Sequence, residues 1–257
     1  MRIGLHLTRY VPAAATPRLR LSLHDLAARA EEAGLHSLWL MDQLEPRFGP
    51  PDDPMLEPYT TLAWTAAHTE HLQLGVLVSP PSMRDPRLLA RTAQTLDLLS
   101  GARAWLGIGA GSGPDRFTRL EQALITIKRA FDEAAAPRAD PSRCVPVLVA
   151  GGGPRRTLPL VARYADACNL LEREGHGAIR DKLAILRQAC EAAGRPYGAI
   201  VKTTFGHLTT TDHTAAHARF QALADLGIDL ALVDLPDLED PTPFKLLAEI
   251  DQRYANR

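Results

Sequence analysis

Val145-Pro146-Val147-Leu148-Val149-Ala150-Gly151-Gly152-Gly153-Pro154-Arg155-Arg156-Thr157-Leu158-Pro159-Leu160-Val161-Ala162-Arg163-Tyr164-Ala165-Asp166-Ala167-Cys168-Asn169-Leu170-Leu171 contains one complete fold unit. Residues 145–150 form a short continuous apolar run, which suits a strand buried on both faces. Three glycines break it. Residues 155–164 carry apolar side chains at helical spacing, and residues 167–171 form a second apolar run. A strand, a helix and a second strand in so few residues imply a parallel βαβ crossover.

The same alternation extends in both directions. Strands are predicted at 3–7, 37–41, 72–78, 104–109, 145–150, 167–171, 200–208 and 229–235. Helices are predicted at 21–33, 59–69, 86–99, 116–134, 155–164, 177–193, 213–226 and 242–254. Gly34, Gly194 and Gly227 stand where helices stop, and Pro86 stands where one starts. Eight βα units in 257 residues predict a closed (β/α)₈ TIM barrel rather than an open doubly wound sheet. The Pro-rich stretches 46–58 and 137–146 read as loops, so residues 1–257 are expected to form a single domain.

Composition narrows the function classes. A 46% hydrophobic fraction supplies a core, and a net charge of -1 argues against a surface built for nucleic acid. No apolar run approaches the roughly 20 residues that span a bilayer, and Met1-Arg2-Ile3-Gly4-Leu5 opens directly on a strand pattern. A cytoplasmic protein with neither membrane nor nucleic-acid partner is expected. Cys144, Cys168 and Cys190 form no close pair and read as reduced thiols.

The active site of such a barrel lies at the C-terminal ends of its strands. Those ends supply His6, Asp42, Gln43, residues 76–80, Gly109-Ala110-Gly111, Gly151-Gly152-Gly153, Glu172, His207 and Asp234. His6, His207 and Asp234 are a conceivable ligand trio. However, the chain lacks an HxH strand pair and a bridging carboxylate, so no metal is expected. Glycines let a backbone approach a flat ring or a phosphate closely. Those at 151–153 lead into a helix start, where Arg155 and Arg156 add positive charge. Neither glycine cluster has the GxGxxG spacing of a dinucleotide fold.

Several blocks together resemble the luciferase-like oxidoreductase family, in its branch that uses the deazaflavin coenzyme F420. They are residues 37–42 (SLWLMD), 53–62 (DPMLEPYTTL), 74–78 (LGVLV), 84–101, 106–111 (LGIGAG), 150–166 and 223–237. The resemblance implies a (β/α)₈ barrel carrying F420, or FMN as the alternative, at its mouth. It implies hydride transfer with a small-molecule substrate, or monooxygenation in the FMN branch. It places a non-proline cis peptide at Val76-Leu77 against the flavin face. Coenzyme contacts are then expected from His6, Val76, Leu77, Gly109, Ala110, Gly111, Gly151, Gly152, Gly153, Arg155 and Arg156. Relatives dimerise through their second and third helices, which makes a homodimer using Leu62, Trp64 and Leu88 or Leu89 the expectation.

The chain departs from the family's dehydrogenases. Gln43 stands where they carry His, Arg47 where they carry Trp, and Ser112 where they carry Glu. An amide does not titrate near neutrality, so a reductase is expected over a dehydrogenase. Asp42, Gln43 and His207 are its candidate catalytic residues. The connections after strand four (112–115) and before strand five (135–144) are short for the family. That leaves an FMN-dependent monooxygenase, or a degenerate barrel with a binding role, as the alternatives.

Overall fold

The computed structural model describes residues 1–10, 13–133, 139–140, 142–209, 212–235, 237 and 239–255. The strands are β1(Arg2–Leu7), β2(Ser37–Leu40), β3(Gln73–Val76), β4(Ala104–Gly109), β5(Val147–Ala150), β6(Ala167–Leu171), β7(Val201–His207) and β8(Leu230–Asp234). The helices that follow them are α1(Leu19–Glu32), α2(Pro58–Ala66), α3(Pro86–Ser100), α4(Arg116–Asp132), α5(Thr157–Tyr164), α6(Gly175–Ala192), α7(His213–Asp225) and α8(Thr242–Tyr254). The strands pair in parallel in chain order, and β1 pairs with β8 to close the barrel. The predicted TIM barrel is thus the fold.

Alternation along the strands sorts the side chains into two layers. Ile3, Leu5, Leu38, Leu40, Leu74 and Val76 face outward and pack under the helices in the large core. Trp39, Leu77, Leu148, Ala167, Leu230 and Leu232 fill the barrel interior, with Trp105, Ala150 and Phe205 against them. The Trp39 and Trp105 rings lie 6.0 Å apart between centroids, and the interior around them is filled with packed side chains.

Local chemistry sets the helix ends. Glu57 accepts from the backbone N–H groups of Tyr59 and Thr60, and Asp85 from those of Arg87 and Leu88. Each precedes a proline at the first helical position, where no N–H is needed. This cap starts α2 at Pro58, one residue before the predicted start. The last helix seals the first strand: Asp251 accepts from the Ile3 N–H at 2.6 Å and from Arg2 Nε. The short connection after β4 is present at residues 110–115. Half of the predicted short segment before β5, residues 135–138 and 141, lies outside the described residues, as does the predicted end of α4 at 134.

Strand three departs from the prediction of 72–78. Gly75 stands opposite Trp105, whereas Ser79 stands opposite Ile108. Between those pairings β3 advances four residues and β4 three, which defines a one-residue bulge. The bulged backbone leans on β4, and a Cβ added at Gly107 would lie 1.9 Å from the Val76 carbonyl oxygen. A Cβ at Gly109 would lie 2.6 Å from Val78 Cγ2. The glycines within β4 therefore make room for strand three.

The obstacle at Gly107 is backbone and cannot rotate away. Gly107→Ala is expected to destabilise the fold by about 3 kcal/mol in urea unfolding, at the upper end of overpacking costs. Gly177→Ala, in open space near the start of α6, is expected to be neutral or mildly stabilising.

Candidate functional site

The open end of the barrel holds a cavity of about 470 Å³. Its apolar wall is Met41, Leu77, Val78, Ala150, Leu171 and Phe205. Its polar groups are His6, Gln43, Asn169, Glu172, His207 and Arg219, with Arg47, Phe48, Arg173 and Thr209 at the rim. This is the C-terminal face of the strands, where the sequence analysis placed the site.

His6 forms the floor. It is 3% exposed, and its Nε2 donates to the Leu77 carbonyl at 3.1 Å. Phe205 meets its ring edge-on at 4.7 Å. Burial lowers its pKa from 6.5 to about 3, outweighing the support of the Leu77 carbonyl, and nearby His207 adds to the lowering. The ring is therefore neutral. With the proton on Nε2, Nδ1 is a buried acceptor with no partner.

The wall contains the cis peptide bond, which joins Leu77 and Val78. The expected position, Val76-Leu77, is corrected by one residue. Val76 is the last residue of β3 and points outward, fully buried under the helices. The bulge turns Leu77 and Val78 to the cavity, so Val76 makes no contact there and Val78 takes the role expected of it.

His207 lies at the end of β7 with its side chain half exposed to the cavity. Its Nδ1 lies 2.7 Å from Asp234 Oδ2. A carboxylate only accepts, so Nδ1 carries the proton and Nε2 is the nitrogen free to meet a ligand. Asp234 Oδ1 is fixed by the Thr8 hydroxyl at 2.9 Å and the Thr8 N–H at 3.3 Å. A carboxylate that holds an imidazole in one tautomer and orientation is a common arrangement for a proton-transfer group. Beside it, Glu172 accepts from Arg219 Nε at 2.8 Å and from the Thr204 hydroxyl at 3.1 Å. Arg219 Nη1 also donates to the His207 carbonyl at 3.0 Å. His6, His207 and Asp234 do not converge as a ligand trio, because His6 turns to Leu77 instead.

Asp42 lies away from the cavity. It is 2% exposed and accepts from Arg84 Nε at 2.6 Å, Arg84 Nη2 at 2.8 Å and the Ser79 hydroxyl at 2.6 Å. Ser79 in turn bonds the Tyr59 hydroxyl at 3.0 Å. This network grips the strand just beyond the bulge, and the Asp42 bonds hold the Arg84 guanidinium pKa above its ordinary value. The geometry makes Asp42 a support of the Leu77-Val78 wall. Gln43, its neighbour, does line the cavity.

Gly109 and Gly111 make room for Val78 and Pro80 of the bulged segment, and neither they nor Ala110 line the cavity. Gly151, Gly152 and Gly153 follow Ala150 along the chain, and of these four only Ala150 lines the cavity. A Cβ at Gly152 would fall 2.6 Å from Lys182 Nζ, so a lysine from α6 lies over the glycine backbone and pairs with Glu174. Arg155 and Arg156 are exposed on the turn before α5, which starts at Thr157 rather than at 155. Lys182 and Arg219 went unread in the sequence because both lie in helices remote along the chain. Asn169, Phe205 and Thr209 were legible only as strand-end positions.

Comparison with known proteins matches residues 12–136 to the family model described as luciferase-like monooxygenase. An F420-dependent glucose-6-phosphate dehydrogenase of Kineococcus radiotolerans is 32% identical over 209 residues, covering 70% of this chain and 61% of that protein. The chain thus spans less than two thirds of that relative's length. The protein of the same name from Nakamurella multipartita is 30% identical over 260 residues, covering 88% of this chain and 74% of its own. Among solved structures, an F420-dependent secondary alcohol dehydrogenase in complex with an F420-acetone adduct superposes with a TM-score of 0.79. It covers 97% of both chains at 14% identity, a likeness of fold alone.

The neutral His6 ties stability to pH. Below pH 6.5 the unfolded chain gains a proton that native His6 refuses until about pH 3, so native stability falls as pH falls through that window. His6→Gln is expected to flatten the stability profile between pH 6 and 4 by about 1.4 kcal/mol per pH unit, read from urea midpoints.

Proposed function

The chain belongs to the luciferase-like family, and from that premise we propose that it is an oxidoreductase that binds coenzyme F420 at the barrel mouth. The reaction is hydride transfer with a small organic substrate, in the direction of substrate reduction. The observation that carries this reading is the cavity itself, with its flat apolar wall at Leu77-Val78 opposite the His207–Asp234 pair.

The residues present fit the coenzyme. Leu77, Val78 and Ala150 offer a smooth face to a planar ring, and the unpartnered Nδ1 of His6 lies buried at the floor as a free acceptor. The Gly151–Gly153 backbone with Lys182 above it, and Arg155 and Arg156 nearby, would hold an anionic tail. When bound, F420 supplies a two-electron hydride donor or acceptor.

The chain's own contribution is proton handling and orientation. Reduction of a polar double bond consumes a proton as well as a hydride. His207 is the exposed titratable imidazole in the cavity. Asp234 orients it through Nδ1, which leaves Nε2 facing the cavity as the atom that would pass a proton to substrate and then return to acceptor. Gln43 donates and accepts hydrogen bonds without titrating, which suits orientation of substrate. Thus a group from β7 takes the part that relatives give to histidine after strand two. We infer further that two copies pair through α2 and α3. Leu88 is 64% exposed and available for that contact, whereas Leu62 and Leu89 are buried against the barrel.

With reduced F420 and a panel of small carbonyl and activated-alkene compounds, coenzyme oxidation is followed by absorbance. His207→Gln is expected to lower kcat by about 10²-fold or more and to remove the basic limb of its pH profile. Asp234→Asn should weaken kcat in the same direction. Turnover with an unchanged pH profile in His207→Gln would refute this assignment.

A further inference from the structure

We propose that His213, His217 and Glu249 form a divalent-metal site, suited to zinc, that clips α7 to α8 on the outside of the barrel. His213 and His217 are four residues apart on α7 and so share one face of the helix. Glu249 comes from α8. One ligand atom from each side chain lies within 4.8 Å of the others. His213 Nδ1 and Glu249 Oε2 are already 3.3 Å apart. Zinc bonds of about 2.0–2.1 Å in a tetrahedron place neighbouring ligand atoms about 3.4 Å apart, so this pair stands at coordination spacing, and a His217 ligand atom lies within 4.8 Å of both.

An ordinary ion pair explains the arrangement poorly. The His213 and Glu249 side chains are both more than half exposed, and such pairs contribute little. Meanwhile His217 Nδ1 is shielded from solvent and has no hydrogen-bond partner, a buried polar atom that the protein's own contacts leave unmet. Two imidazoles and a carboxylate are a zinc-type donor set, and water completes the fourth position. The site lies outside the mouth. Its placement still matters there, because α7 carries Arg219, which holds Glu172 and the His207 carbonyl at the cavity.

The test uses the purified protein and zinc alone, with no coenzyme. Competition against a chromophoric chelator should give one zinc per chain. Zinc at a hundredfold over Kd should raise Tm by about 5 °C, and cobalt should give the visible bands of a tetrahedral site. His213→Ala and Glu249→Gln replace exposed side chains and should leave the fold intact. Each should weaken zinc at least about tenfold and abolish the Tm shift, while Cys144→Ser, at the exposed thiol, should change nothing. No zinc uptake at about 100 μM, a Kd weaker than roughly -5.5 kcal/mol, would overturn the proposal. So would uptake that survives in the double variant His213→Ala/His217→Ala, or that vanishes in Cys144→Ser.

Discussion

The close approach of strand three to strand four governs how this barrel presents its mouth. One extra residue in β3 throws the backbone against β4, and only the missing side chains at Gly107 and Gly109 let it settle there. The bulge then has to be held. Asp42, from the end of β2, grips Ser79 and Arg84 beyond it, and Arg84 reaches on to Glu57, which caps α2. A buried carboxylate bonded to a guanidinium and a hydroxyl has its lone pairs met, as a buried charge requires. The product of these contacts is a rigid apolar wall, Leu77-Val78, exposed to the cavity.

Opposite that wall the chemistry is polar and ordered by carboxylates. Thr8 fixes Asp234, Asp234 fixes His207, and the Glu172–Arg219 pair supports the strand that carries His207. The neutral His6 beneath adds no charge to the floor. The mouth thus has an apolar side for a flat ring and a protonatable side for a reacting group, which is the division of labour a hydride-transfer site needs.

Much of this could be read from the residues. The eight-fold alternation was legible because the strands are short apolar runs and several helices carry start or stop chemistry, as Asp85-Pro86 and Gly101 do for α3. The strand ends identified His6, Gln43, Leu77 and His207 as cavity residues. The one-residue shift of the wall from Val76-Leu77 to Leu77-Val78 was not legible, because a bulge is set by pairing with β4 and leaves no period of its own. Asp42 read as catalytic because it stands at a strand end, yet Arg84, forty-two residues on, consumes its charge. Lys182, Arg219 and Glu249 act where helices cross, a relation that no local pattern encodes.

The most direct test of the account is equilibrium binding of the coenzyme to the purified protein. F420 and, separately, FMN are titrated while fluorescence is followed. The account predicts saturable F420 binding at micromolar concentration or tighter, with FMN weaker. Binding of FMN alone, or of neither up to about 100 μM, roughly -5.5 kcal/mol, would contradict it.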